Sequence, residues 1–164
     1  MSKVINSIWN EFKYGGHLLS VGAACIVYAA AIILKINVYF EFLFVIYLGM
    51  QLTYSYNRYK ELDSDIQTNP ERSNYIIKYS KFIPIIISVE ALLIIYILIS
   101  SHKDSVILFS LALVLFGLSY TFVFKYLTRY ILGFKNIFVS ISWTLLLAFL
   151  VIYSSAKFSI AFLI

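Results

Sequence analysis

Asn57, Glu61 and Asp65 follow one another at intervals of four residues, the spacing that stacks side chains on one face of a helix. An amide and two carboxylates are then aimed at one point, and the carboxylates repel each other unless a cation lies between them. An all-oxygen set of this kind suits Mg²⁺, which keeps several waters and takes one or two carboxylates together with substrate phosphate. A diphosphate carried on that ion is the natural partner. Arg72, Lys125 and Lys135 supply cations for the remaining phosphate charge. The plainer alternative is a solvated polar loop in which Glu61 and Asp65 take part in ordinary i,i+4 pairing. Asn69-Pro70 marks a helix stop and a turn under either reading.

The elements that must carry these residues are dictated by composition. Of the 164 residues, 62% are hydrophobic and 13% charged, with a mean hydropathy of +0.88. Soluble chains run at about 45–50% apolar and about 25% charged, and a chain this short buries only part of its surface. Lipid must therefore serve as solvent for much of it. The Tyr residues crowd near the ends of the apolar runs, where amphipathic rings sit in membrane proteins. The net charge of +5 reads as positive cytoplasmic loops rather than a nucleic-acid surface. The single cysteine, Cys25, lies inside an apolar run and forms no intrachain disulfide.

Five apolar runs approach the length of about 20 residues that a crossing helix needs: 18–36, 38–56, 82–99, 106–124 and 137–154. Lipid offers no partner for open backbone groups, so each is expected to be helical. The alanines Ala29, Ala30 and Ala31 mimic a signal-peptide cleavage site, but the apolar stretch continues past them and four more runs follow. Ten of the thirteen basic residues fall in the N-terminal segment and the 2–3 and 4–5 loops. The positive-inside rule places those in the cytoplasm, so a multi-pass protein of the plasma (inner) membrane is expected. Before the first run, Ile5, Ile8, Trp9 and Phe12 share one helical face, which reads as an interfacial helix. Residues 158–164 resemble the start of a sixth span that stops mid-membrane, so a truncated chain or the front part of a longer one is expected. The whole, 1–164, is expected to be a single all-α transmembrane domain.

Other polar residues carry less. Glu90 sits in the middle of the third run, where an acid costs about 2.5–3.5 kcal/mol on insertion scales unless it faces the bundle; it either lines a cavity or bonds a neighbouring helix. Glu41 lies close enough to the outer interface to reach water. His17 and His102 lie near interfaces with no partner at ligand spacing, and both are read as non-catalytic.

The stretch 57–72 resembles the first aspartate-rich motif of the UbiA-type intramembrane prenyltransferases, N-D-x-x-D-x-x-x-D followed by a proline-and-arginine turn. Asn57, Glu61 and Asp65 occupy its polar positions, and Asn69-Pro70-Glu71-Arg72 its turn. Tyr120-Thr121 with Lys125 and Thr128 is similar to the family's Y-[ST]…K-R-x-T run. Gly133-Phe134-Lys135-Asn136 with Val139 and Trp143 is similar to its G-x-K-N-x-x-V…W run. Arg58 stands in place of the usual Asp, Glu61 in place of an Asp, and Tyr126 where a basic residue is common.

The resemblance implies the first half of a nine-helix fold, with a prenyl-diphosphate and Mg²⁺ site shared with a second half. It implies Mg²⁺ on Asn57, Glu61 and Asp65, and diphosphate contacts from Asn57, Arg72, Tyr120, Lys125 and Lys135. Asp65, Glu61 and Lys125 become the catalytic group. The implied reaction is transfer of a prenyl group to an aromatic or other lipophilic acceptor within the membrane, with no role for nucleic acid. Alternatives are a non-catalytic relative that binds an isoprenoid lipid, and a small transporter or scaffold with Glu90 as its ion site. The missing half would come from a longer chain or a second copy.

Overall fold

The computed structural model describes residues 3–101, 104–128 and 130–157; residues 158–164, His102 and Arg129 lie outside that set. Among the described residues every regular element is helical, with no strand.

A 12-residue helix, α1 (Lys3–Tyr14), leads to a Gly15–Gly16 elbow and α2 (His17–Ile33). The axes of α1 and α2 differ by 59°. Gly16 holds φ at +101°, a left-handed value that glycine adopts without strain. An added Cβ there would also come within 3.3 Å of Gln51 Oε1. The exposed face of α1 carries Val4, Ile5, Ile8 and Trp9, as expected of a helix lying at a lipid surface.

The central element is α3 (Phe40–Lys60), packed between α2 and α6 (Ile83–Ser101). Two short helices, α4 (Leu62–Thr68) and α5 (Pro70–Tyr79), follow its C-terminal end, with Pro70 in the first turn of α5, where its missing N–H costs nothing. α7 (Asp104–Ser119) continues through a wide π-helical turn (Tyr120–Phe124) and the short α8 (Lys125–Leu127), and α9 (Phe134–Lys157) packs back on α7. The core follows the helical periodicity. Ala23, Val27 and Ala31 of α2 are buried four residues apart against Phe42, Val45 and Ile46 of α3, small residues permitting close approach of the helices.

Among the described residues, three helical stretches are long and apolar enough to cross a membrane: Ile83–Ser100, Asp104–Leu127 and Phe134–Ser155. Large apolar side chains such as Leu92, Leu108 and Leu115 stand exposed on them, and lipid is the solvent that accepts such a surface. This is a helical membrane protein. The first two expected runs fare differently from the other three. α2 stops at Ile33 after 17 residues, short of the expected residue 36, because the chain turns through left-handed Lys35 at φ 56°. α3 is long, at 21 residues, and reaches Lys60, four residues past the expected end. It is less apolar than the others because Gln51, Thr53, Asn57 and Arg58 interrupt its second half.

Candidate functional site

The polar face of α3 is extended by the backbone into α4 and α5. Glu61 N–H donates to Asn57 C=O, Asp65 N–H to Glu61 C=O, Asn69 N–H to Asp65 C=O and Ser73 N–H to Asn69 C=O, all at 2.7–3.0 Å. The helix is interrupted at Glu61, whose φ and ψ are −96° and 5°, and the bonds on either side of it bridge the interruption. Asn57, Glu61 and Asp65 therefore remain stacked, as their spacing requires.

These residues line one end of a cavity of about 550 Å³. Of the seven residues singled out from the sequence, six line it: Asn57, Glu61, Asp65, Arg72, Tyr120 and Lys135. The seventh, Lys125, reaches the same end through Glu61, with its Nζ 3.3 Å from Glu61 Oε1. Arg72 holds Asp65 through an Nη2–Oδ2 contact of 2.5 Å. Thr121 donates its hydroxyl proton to Asn57 Oδ1 at 2.6 Å. Four cations, Arg58, Arg72, Lys125 and Lys135, thus surround two carboxylates, Glu61 and Asp65, and the polar end is left positive.

The wide turn in the fourth long helix explains how Lys125 arrives there. Lys125 N–H donates to Tyr120 C=O, a bond that spans five residues where an α-helix spans four. It stacks Lys125 over Tyr120, so that Tyr120 faces the cavity and Lys125 faces Glu61. Such single π-turns concentrate at functional sites. One turn earlier, α7 comes close to α3 at Gly117, where an added Cβ would lie 2.8 Å from Thr53 Cγ2.

Arg58, singled out in the sequence only as a departure from a motif, is a cavity wall. Its Nη1 donates to the carbonyl of Tyr14 at the α1–α2 elbow, and its guanidinium lies 5.1 Å from the centre of the Tyr54 ring. Thr121 was equally unmarked as a site residue; its position one residue after Tyr120 was the available signal. Glu90 is buried but does not line this cavity, and Glu41 is exposed.

His17 has partners that spacing alone did not reveal. Its Nδ1 lies 2.6 Å from Tyr47 Oη, thirty residues away, and its Nε2 lies 3.3 Å from Glu11 Oε1. Tyr75 donates to the other oxygen of Glu11, and Tyr14 donates to Glu71 at 2.8 Å. These contacts clasp α1 to α5.

Asn57, Glu61 and Asp65 offer three oxygen-bearing groups, two of them anionic, and each has a partner in Thr121, Lys125 or Arg72. No group of three His, Cys, Asp or Glu residues suited to a metal occurs among the described residues, so a cation here would depend on the Asn57 amide oxygen and on water or ligand oxygens to complete its shell.

Away from the charged end the walls are apolar, through Val114 and Leu146 to Val45, Ile46, Ile94 and Phe149. Fold and site together define a helical membrane protein with an amphipathic cavity, positive at one end and apolar at the other. No family model matches the chain, and no curated protein or solved structure matches it.

Proposed function

We propose that the chain binds a prenyl diphosphate in this cavity and transfers its prenyl group to a lipophilic acceptor within the membrane, as a UbiA-type prenyltransferase or the front part of one. The observation that carries the reading is the continuity of a cationic end with an apolar one in a single cavity, which matches a diphosphate head on a hydrocarbon tail. Asn57, Glu61, Asp65, Arg72 and Lys135, whose residue types suit that head group, meet at that end.

The residues divide the work. Arg72, Lys125 and Lys135 meet the diphosphate oxygens, and Lys125 and Arg72 exchange their carboxylate contacts for phosphate when the ligand enters. Asn57, Glu61 and Asp65 would hold Mg²⁺, which supplies charge neutralisation of the diphosphate when bound. In the reaction the bond between the allylic carbon and the diphosphate oxygen breaks, and the electron pair leaves with the diphosphate. The acceptor then bonds to the allylic carbon and gives up a proton. The apolar walls keep water from the allylic cation, and the face of Tyr120 is placed to steady it. In this reading α2 and α3 also cross the membrane, giving five spans in the inner membrane with the N-terminus and the α4–α5 cap in the cytoplasm. α3 crosses because its polar face lines a cavity instead of facing lipid.

Arg58 favours a second reading, a non-catalytic relative that holds the lipid without transferring it, because a fixed cation stands next to the carboxylate face. The deciding experiment is Mg²⁺-dependent binding of farnesyl diphosphate to the purified full chain in detergent, beside Asp65→Ala. Binding is expected to need both the ion and Asp65, with a loss of about 100-fold or more on substitution. A folded chain that binds equally well with chelator and without Asp65 sinks the site. Binding without turnover of any acceptor leaves the second reading standing.

A further inference from the structure

The far end of the cavity is closed by side chains with almost no exposure. Val45 and Ile46 of α3 are each 4% exposed, Ile94 of α6 is 5% and Phe149 of α9 is 2%, and all four line the cavity. Behind Phe149 lies a stack of rings. Phe42 is 5.0 Å and Phe109 5.7 Å from it by ring centroid, and Tyr153 stacks on Phe42 at 3.9 Å. Rings packed in this way have no slack, since protein interiors are as dense as organic crystals. A tail that reaches this floor cannot push on.

Two independent measures say how long such a tail is. Asn57 at the charged end and Val45 at the floor sit on the same helix, and twelve residues of α-helix at a rise of about 1.5 Å each span roughly 18 Å. An extended chain of single bonds advances about 1.2 Å per bond, as three bonds do in about 3.5 Å of extended peptide. Three isoprene units, with about four main-chain bonds each, fill about 14 Å of that depth, and six units need about twice as much. Volume gives a similar answer. At about 30 Å³ for each water-sized group, the 550 Å³ cavity holds about 18 non-hydrogen atoms. A fifteen-carbon tail fits with a few atoms of its head, the rest of which stands at the cationic rim beside exposed Lys135.

We infer that the cavity selects short prenyl diphosphates, of ten to fifteen carbons, and that Phe149 with Ile94 and Val45 is the floor that sets this limit. The inference rests on the prenyl-diphosphate reading of the same cavity and adds the substrate class to it. Nothing in the sequence marks the floor, because its four residues are ordinary apolar residues in three different helices.

The test is competitive binding to the full chain in detergent with Mg²⁺, using geranyl, farnesyl and a nine-unit prenyl diphosphate. The expected result is farnesyl binding at least tenfold tighter than the nine-unit ligand. Phe149→Ala should raise affinity for the nine-unit ligand severalfold with little change for geranyl. Val45→Phe, which raises the floor, should weaken farnesyl binding while sparing geranyl, and it supplies the comparison if Phe149→Ala fails to fold. Affinity that climbs steadily with tail length through nine units, in the wild-type chain, overturns the floor and leaves the site reading intact. Failure of all three diphosphates to bind a folded chain overturns the site reading, and the floor falls with it.

Discussion

At the residue scale, the arrangement is governed by how each charge is compensated. Asp65 and Arg72 are a near neighbour pair across the α4–α5 turn, while Glu61 and Lys125 come from helices 64 residues apart in sequence, so the first pair is local and the second reports the fold. The clasp between α1 and α5 follows the same logic and gives a pH-dependent outcome. The Glu11 carboxylate is held below its ordinary value of 4.5, first by the hydrogen bond with His17 and further by Tyr75, against burial that pushes it up. A carboxylate whose folded value is depressed contributes stability that is present above its unfolded value and lost as pH falls through the folded one. The clasp is therefore expected to loosen only below about pH 4.5, and Glu11→Gln should abolish that acid transition. Hydrogen exchange along α1 at pH 6 and at about pH 3, each corrected for the intrinsic exchange rate, checks it, and protection of α1 that does not change between them would show that the carboxylate is not what holds α1. The effect is small, under about 1 kcal/mol, because the Glu11 side chain is 51% exposed and solvent screens it.

At the scale of the element, the π-turn at Tyr120–Phe124 and the Gly117 contact fix the fourth long helix against α3. Deleting Val123 should restore ordinary α-helical hydrogen bonding. The bond from Lys125 N–H to Tyr120 C=O would then span four residues, so Lys125 should stay over Tyr120 and keep its place beside Glu61. That variant is expected to stay folded and to keep its prenyl-diphosphate affinity, whereas Lys125→Ala should lose about tenfold or more; unchanged affinity in Lys125→Ala would remove Lys125 from the site. Gly117→Ala drives a methyl group against Thr53 and should destabilise the fold by about 1–3 kcal/mol, with partial rescue by Thr53→Ser, since that removes the clashing Cγ2. Thermal unfolding of the single and double variants separates this from a loss specific to ligand binding. Neither device was legible beforehand. The i,i+4 stack of Asn57, Glu61 and Asp65 was, because helical spacing is a local property of the chain. Lys125 was legible as a cation for phosphate charge, but the wide turn that sets it over Tyr120 has no signature in composition or periodicity. Thr121 and Arg58 remained outside the expected set for a related reason: what they touch, the Asn57 amide and the Tyr14 carbonyl, is brought near only by packing.

At the scale of the whole molecule, length sets α2 apart from the three long apolar helices and polarity sets α3 apart. The stretches that pass the test of length and composition meet lipid around most of their surface, and their apolar runs announced them. α2 and α3 spend their surface differently: α2 is buried along its alanine stripe, and α3 gives its Gln51–Arg58 face to the elbow and the cavity. A helix that lines a polar cavity within a membrane looks less apolar than it needs to be for lipid, because part of its surface never meets lipid. The test is topological. With Cys25 replaced by Ala, single cysteines at Gln67 in α4 and at Asn37 between α2 and α3 are probed with a thiol reagent that does not cross membranes. If α2 and α3 both cross, Gln67→Cys is labelled only from the cytoplasmic side and Asn37→Cys only from the other, the pattern that the basic 2–3 loop demands. Labelling of both positions from one side would mean that the α2–α3 hairpin does not cross. The cavity would then open onto a cytoplasmic surface, and transfer of a prenyl group inside the bilayer would lose its setting.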